Sequence, residues 1–339
     1  MAKPVKLADA INGYLLSRKS KCVDKTIEWY RQKLAYFCMI AEQEWNIVTL
    51  RDITVTHLRL FVEHVKSTEA DANNPHKPTR KGVPVRDVTV KGYVQVIKGF
   101  FNWCAREELV KKNPAAKLDN PKVGRYVIKT FTQDQIRALL DSCDTATAVG
   151  YRDYTIMLLL LDTGVRAAEL CGLTLDNVYL AVMDEAFIKV MGKGRKEREI
   201  GLSPEVARCL WKYIHVYRKS EKGGDKTLFI NRFGEPLTPN GIAQLVAEAA
   251  KRAKVTGVRA SPHTFRHTFS RMFMENGGDI YKLSLLLGHS SVVVTENYLK
   301  DFYSRSARQG QVKHSPVTNM GVGRPLRGFR KGPSDILGR

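Results

Sequence analysis

Six side chains in this 339-residue chain could together move a phosphoryl group: Arg166, Lys193, His263, Arg266, His289 and Tyr298. Arg166 sits in Thr163-Gly164-Val165-Arg166-Ala167-Ala168-Glu169-Leu170, a corner where Gly164 ends one helix and Arg166 opens the next. Glu169, three positions on, shares that helix face and can hold the guanidinium through a charge-assisted bond. Lys193 lies in Gly192-Lys193-Gly194-Arg195-Lys196-Glu197-Arg198, where the glycines permit a tight turn that a phosphate could approach. In Pro262-His263-Thr264-Phe265-Arg266-His267 the proline opens a helix, and the i, i+3 spacing places His263 and Arg266 on one face. His289 follows Leu287-Gly288 at a helix junction, and Tyr298 comes nine residues later.

Each of these alone has an ordinary structural reading: a helix-surface ion pair, a solvated hairpin tip, a core histidine, a half-buried tyrosine. As a set they suit phosphodiester transfer without a metal. Two guanidinium forks can neutralise the non-bridging oxygens as charge builds in a pentacoordinate transition state, the task a metal ion otherwise performs. A phenol with an ordinary pKa of about 10 attacks poorly at neutral pH. An imidazole must therefore take its proton while a general acid protonates the departing oxygen. Zinc is the competing use of His263 and His267 at i, i+4, but Thr264 stands where a zinc protease has its general-base Glu, and Arg266 would repel a cation. No metal and no cofactor are expected.

The elements that must position this set read as mainly α with a small β-sheet, an α+β fold. Apolar periodicity predicts helices over 7–18, 24–42 with Asp24 as N-cap, 56–66 and 88–106, enough to bury one small core. Between the last two, 67–86 is rich in Asn, Pro, Lys and Arg and reads as an exposed loop. A polar, basic stretch over 116–129 reads as a linker. Beyond it, Thr132 and Gln135 form a capping-box pattern, 151–163 reads as a buried helix, and 187–190 with 199–202 reads as a β-hairpin around the basic turn. Further helices are expected over 204–218, 238–253 and 262–276. The last part, 306–339, holds seven basic residues against one acidic, with Gly and Pro throughout, and no packed core is expected there.

Composition narrows the partner. Fifty-five Lys and Arg against 34 Asp and Glu leave a formal charge of +21, which favours a polyanion. The excess is spread: 23 basic and 13 acidic residues in 1–128, 25 and 20 in 129–305. Six scattered cysteines with no C-x-x-C pair read as reduced thiols. The longest apolar run, 156–161, is far short of the roughly 20 residues that span a bilayer, and the first residues lack a secretory pattern. A cytoplasmic protein with no membrane partner is expected.

Taken in order, the Arg166, Lys193 and His263-to-Phe269 motifs and Leu287-Gly288-His289 with Tyr298 resemble those of the tyrosine recombinase, or phage integrase, family, within it the Xer-like and simple integrase branch. The resemblance covers about 7–305. It implies that Tyr298 attacks the scissile phosphate to give a 3′-phosphotyrosyl bond and a free 5′-hydroxyl, with Arg166 and Arg266 as the clamp. Lys193 would be the general acid, His263 the general base, His289 a phosphate hydrogen-bond partner and Glu169 a support. Because the covalent bond conserves the energy of the broken phosphodiester, rejoining needs no ATP.

The same resemblance implies a helical, SAM-like core-binding domain over 1–115, the linker 116–129, a catalytic domain over 130–305 and the tail 306–339, the two domains forming a C-shaped clamp on double-stranded DNA. Lys91, Lys98, Arg195 and Lys196 are candidate DNA contacts. The implied assembly is a homotetramer on two DNA sites with paired core half-sites, exchanging strands through a Holliday junction, with accessory or directionality proteins as further partners. Integration or excision of a mobile element is the expected task. The helices begin so near Met1 that a separate arm-binding domain is not expected, and the tail is expected to reach a neighbouring protomer or DNA. Two other readings stay open: a type IB-like topoisomerase, and a non-cleaving DNA-binding regulator of the same fold.

Overall fold

Apolar positions recurring every three to four residues give each of the first four helices one buried face, and these faces close on one another. The helices are α1 (Leu7–Arg18), α2 (Asp24–Trp45), α3 (Val55–Ser67) and α4 (Asp87–Arg106). The structure is a computed structural model that describes residues 4–70, 72, 79–124, 128–192, 196–219, 226–289 and 291–296. The shared core of α1–α4 is aromatic: Phe37, Phe61, Phe100 and Phe101 are fully enclosed, and the Phe37 and Phe61 rings meet edge-on at 5.0 Å.

Two local expectations are corrected here. Val23, not Asp24, is the N-cap of α2, and Asp24 is the first helical residue. Its carboxylate still complements the positive end of the helix dipole. The segment 67–86 is not irregular throughout, because β1 (Glu69–Ala70) and β2 (Arg80–Pro84) pair antiparallel within it. Glu69 Oε1 accepts from the Gly82 backbone N–H at 2.8 Å. All of β2 is exposed, so no apolar alternation signalled it.

The chain divides into two compact units, 1–126 and 127–339, each with its own core. In the second, α5 (Gln133–Asp141) opens on the anticipated capping box: Thr132 Oγ1 accepts from Gln135 N at 3.2 Å while Gln135 Oε1 accepts from Thr132 N at 3.0 Å. Then follow α6 (Ala148–Thr163), α7 (Ala167–Cys171), β3 (Val178–Tyr179), β4 (Phe187–Met191) and β5 (Glu197–Gly201). The sheet order is β3-β4-β5, all antiparallel. The two-residue β3 is too short to carry a periodicity, and β5 starts at Glu197 rather than at 199. Then come α8 (Pro204–Lys212), continued by a π-helical turn Tyr213–Tyr217, α9 (Pro239–Arg252), α10 (Pro262–Glu275) and α11 (Ile280–Leu287). Among the described residues no helix is long and apolar enough to cross a membrane.

Candidate active site

The corner that carries Arg166 is built by helix-end chemistry. Gly164 closes α6 in the left-handed region at φ +61°, its N–H bonded to the Leu160 carbonyl at 3.1 Å. A Cβ at this position would overlap the Phe269 ring of α10, so both the backbone and the neighbouring helix require glycine. Val165, fully buried, anchors the turn, and Arg166 becomes the N-cap of α7. Glu169 at the third helical position reaches back as a capping-box glutamate does, Oε2 accepting from the Arg166 backbone N–H at 2.9 Å. Oε1 accepts from Arg166 Nη1 at 2.8 Å. Capping thus places the carboxylate that orients the guanidinium.

The end of α11 gathers the cations. It stops at Gly288, φ +62°, and carbonyls in a helix's last turn lack intrahelical donors. The Leu287 carbonyl accepts from Arg266 Nη2 at 2.7 Å and from Arg166 Nη1 at 3.4 Å. The Leu286 carbonyl accepts from Arg198 Nε at 2.7 Å. The negative end of the helix dipole favours all three. Arg266, only 2% exposed, also donates Nη1 to the Gly164 carbonyl at 2.7 Å. One buried guanidinium therefore joins α10 to the ends of α6 and α11, while Phe269, Leu283 and Leu287 pack α11 onto α10.

Arg266 Nη2 lies 2.9 Å from His289 Nε2. Arginine accepts nothing, so Nε2 is the acceptor and the ring proton resides on Nδ1, which donates to the fully buried Thr295 hydroxyl at 2.8 Å. Burial, reinforced by the charges of Arg266, Arg166 and Arg198, pushes the His289 pKa down to about 4. His267 is likewise pushed to about 4, by burial and then by the charges of His263 and Arg266. His263 is lowered as well, first by burial and then by Arg266 and Arg166. All three imidazoles are neutral at neutral pH and able to accept a proton or a hydrogen bond. His263 is exposed where Arg266, three residues on, is buried, and its ring meets that of His267 edge-on at 4.5 Å.

Arg198 was not singled out by spacing. Its guanidinium grips Glu169 with two prongs, Nη1 to Oε1 at 3.0 Å and Nη2 to Oε2 at 2.8 Å. A signal did exist: Val190 pairs with Arg198 and Ile188 with Ile200, and the three apolar members are buried. Alternation therefore puts an arginine on the core face of a hairpin, where it needs an acidic partner.

Burial alone would raise the pKa of Glu169, but the hydrogen bonds from Arg198 and from the Arg166 backbone, with the charges behind them, hold it down at about 2. Against an ordinary value near 4.5, this contributes on the order of 3 kcal/mol of stability. A depressed carboxylate pKa makes that contribution complete above about pH 4.5 and removes it as pH falls toward 2. In urea unfolding of the full chain, Glu169→Gln is expected to be clearly less stable than wild type at pH 7, with the gap closing as pH falls toward 2. A gap that stayed constant with pH would show that the carboxylate's charge is not what matters.

Lys193, Arg195, Tyr298 and 306–339 lie outside the described residues. At the base of the basic turn, Gly192 N donates to the Lys196 carbonyl at 2.8 Å, and Lys196 is exposed. Lys91 and Lys98 are half-buried on α4 in the first unit. Arg166, Glu169, Arg266 and His289 are brought into one hydrogen-bonded group, and the charges of both arginines reach His263.

The family model described as "Phage integrase family" matches residues 129–305. Tyrosine recombinase XerD of Staphylococcus aureus is 34% identical over 212 residues, 62% of this chain and 70% of that protein. Among solved structures, the XerH site-specific recombinase in a post-cleavage complex with a palindromic difH substrate superposes with a TM-score of 0.69 at 17% identity, over 91% of this chain and 85% of that one. A lambda integrase dimer bound to a COC′ core site gives 0.66 at 16% identity, over 87% and 77%.

Proposed function

Because this chain belongs to the phage integrase family of tyrosine recombinases, enzymes that cleave and rejoin DNA, we propose that it is a site-specific recombinase whose centre is assembled from Arg166, Lys193, His263, Arg266, His289 and Tyr298. The observation that carries this reading is the convergence of the Arg166 and Arg266 guanidiniums on the Leu287 carbonyl beside His289. Two fixed cations at one point suit a scissile phosphate, whose non-bridging oxygens gain charge in the transition state. Tyr298 attacks phosphorus as its proton passes to His263; the 5′-oxygen leaves with a proton from Lys193, and the strand remains bound as a 3′-phosphotyrosine.

His289 carries a consequence of its own. To donate to a phosphate oxygen, its neutral ring must bear the proton on Nε2, the reverse of the arrangement in which Arg266 donates to that atom. The Thr295 hydroxyl can donate as well as accept. It supports the change of tautomer when phosphate takes over the arginine.

The substrate proposed is double-stranded DNA with paired core half-sites, bound by a homotetramer in the cytoplasm during integration or excision of a mobile element, with accessory proteins setting direction. The charge of +21 and the DNA-bound state of the XerH and lambda integrase structures support the DNA partner. The family's description supports the mobile-element task. Under this reading the core-binding helices with Lys91 and Lys98, the basic turn with Arg195 and Lys196, and the tail add phosphate and protomer contacts.

The test uses a duplex selected by this protein from random sequence, carried on a nicked substrate that traps the cleaved strand, in EDTA and without ATP. A covalent protein–DNA adduct, and strand exchange when two intact sites are supplied, are the expected results. Tight binding with no adduct would instead favour a non-cleaving regulator. Relaxation of supercoils without exchange would favour a topoisomerase.

A further inference from the structure

We propose that Arg198 is a positioning residue for the cleavage step, acting through Glu169 to hold Arg166 in the orientation that meets the scissile phosphate. This rests on the recombinase reading above and extends it to a side chain with no assigned role. Glu169 has two oxygens and four donors: Arg166 offers its backbone N–H and Nη1, Arg198 its Nη1 and Nη2, all at 2.8–3.0 Å. The carboxylate therefore cannot turn without breaking an Arg198 bond. Arg198 is itself fixed at a third point, by Nε on the Leu286 carbonyl at 2.7 Å. Its side chain is 13% exposed, against 41% for Arg166. The inner arginine is the anchor, and the outer one is left facing solvent.

Two glycines have the closeness that this grip demands. A Cβ on Gly288, the residue before His289, would stand 2.9 Å from Arg198 Nη1, and one on Gly192, the residue before Lys193, 3.4 Å from the same atom. Arg198 thus also sets how closely the base of the basic turn and the end of α11 approach Glu169. Lysine could not replace it, since a single ammonium cannot reproduce two parallel prongs plus a third bond at a fixed angle.

The test compares cleavage of two nicked substrates by the full-length protein, one with an ordinary scissile phosphodiester, the other with a methylphosphonate there. The neutral linkage has a methyl group in place of one charged non-bridging oxygen, so the clamp has one charge fewer to offset there. Arg198→Gln and Arg198→Lys are expected to lower phosphodiester cleavage, on the order of 10²-fold for Gln and less for Lys, as expected when a reacting group is displaced by about an ångström. On the methylphosphonate both variants should lose much less, as should Arg166→Ala, which sets the scale for loss of the clamp. Adding Glu169→Gln to Arg198→Gln should cost little more than the worse single change, because both act through one contact. An equal proportional loss on both linkages would mean a general structural role and would overturn the proposal, and so would wild-type cleavage of the phosphodiester by Arg198→Gln. Wild type forming no adduct on the phosphodiester would overturn the recombinase reading itself, and this inference with it.

Discussion

Tyr298→Phe is expected to abolish the covalent protein–DNA adduct while binding the same duplex as tightly as wild type. The substitution removes one oxygen, the proposed nucleophile; nothing else in the proposed centre can form the ester, so cleavage should fall by on the order of 10⁴-fold or more. DNA affinity comes mainly from charge neutralisation along the backbone, to which a neutral phenol adds nothing. Tyr281 and Tyr303 are the nearby alternatives. Tyr281 is exposed in the first turn of α11, whose other end carries the Leu286 and Leu287 carbonyls, about 9 Å away along the axis at 1.5 Å per residue. An adduct that persisted in Tyr298→Phe and vanished in Tyr281→Phe or Tyr303→Phe would reassign the nucleophile. Gel separation of denatured protein–DNA samples reads every case directly.

The two clamp arginines should fail in different ways. Arg166→Lys keeps the charge but loses the planar fork, so cleavage should drop by about 10²- to 10³-fold, the loss usual when one transition-state donor is removed. Binding should barely change. Because the Arg166 side chain is 41% exposed, the melting temperature should change little. Arg266→Ala should match or exceed that loss of cleavage and also destabilise the catalytic unit by about 3 kcal/mol or more. It strands the Gly164 carbonyl and His289 Nε2, and leaves the Leu287 carbonyl only the 3.4 Å bond from Arg166. Thermal unfolding run beside the cleavage assay separates the two. Equal melting temperatures for both variants would mean that Arg266 is not the tie between α6, α10 and α11.

Much of the positioning machinery was legible before any coordinates. The Thr132–Gln135 capping box, Gly164 as a helix stop, Pro262 as a helix start and the hairpin around the basic turn each follow from a local rule acting over three or four residues. The misses have the same origin. At the start of α2, Asp24 suits a cap and a first turn about equally well, and the backbone placed it in the turn. The strands β1 and β2 pair at ten or more residues' separation with one of them fully exposed, so neither left a pattern to find.

The amino-acid sequence by itself singled out the side chains proposed for the chemistry: two arginines, a lysine, imidazoles and a phenol in motifs whose types are complementary whatever surrounds them. Only the tertiary structure decided how the arginines and His289 are held. Arg266 is the buried member of the pair and Arg166 the outer one, His289 points Nε2 at a guanidinium, and Arg198 grips the glutamate that a helix cap had placed. These follow from the meeting of α7, β5, α10 and the end of α11, elements as far apart in the chain as Arg166 and Leu287. Hydrogen bonds between partners so distant depend on which carbonyls a helix end leaves unsatisfied and which guanidinium packing brings within reach, and no window of local sequence contains both.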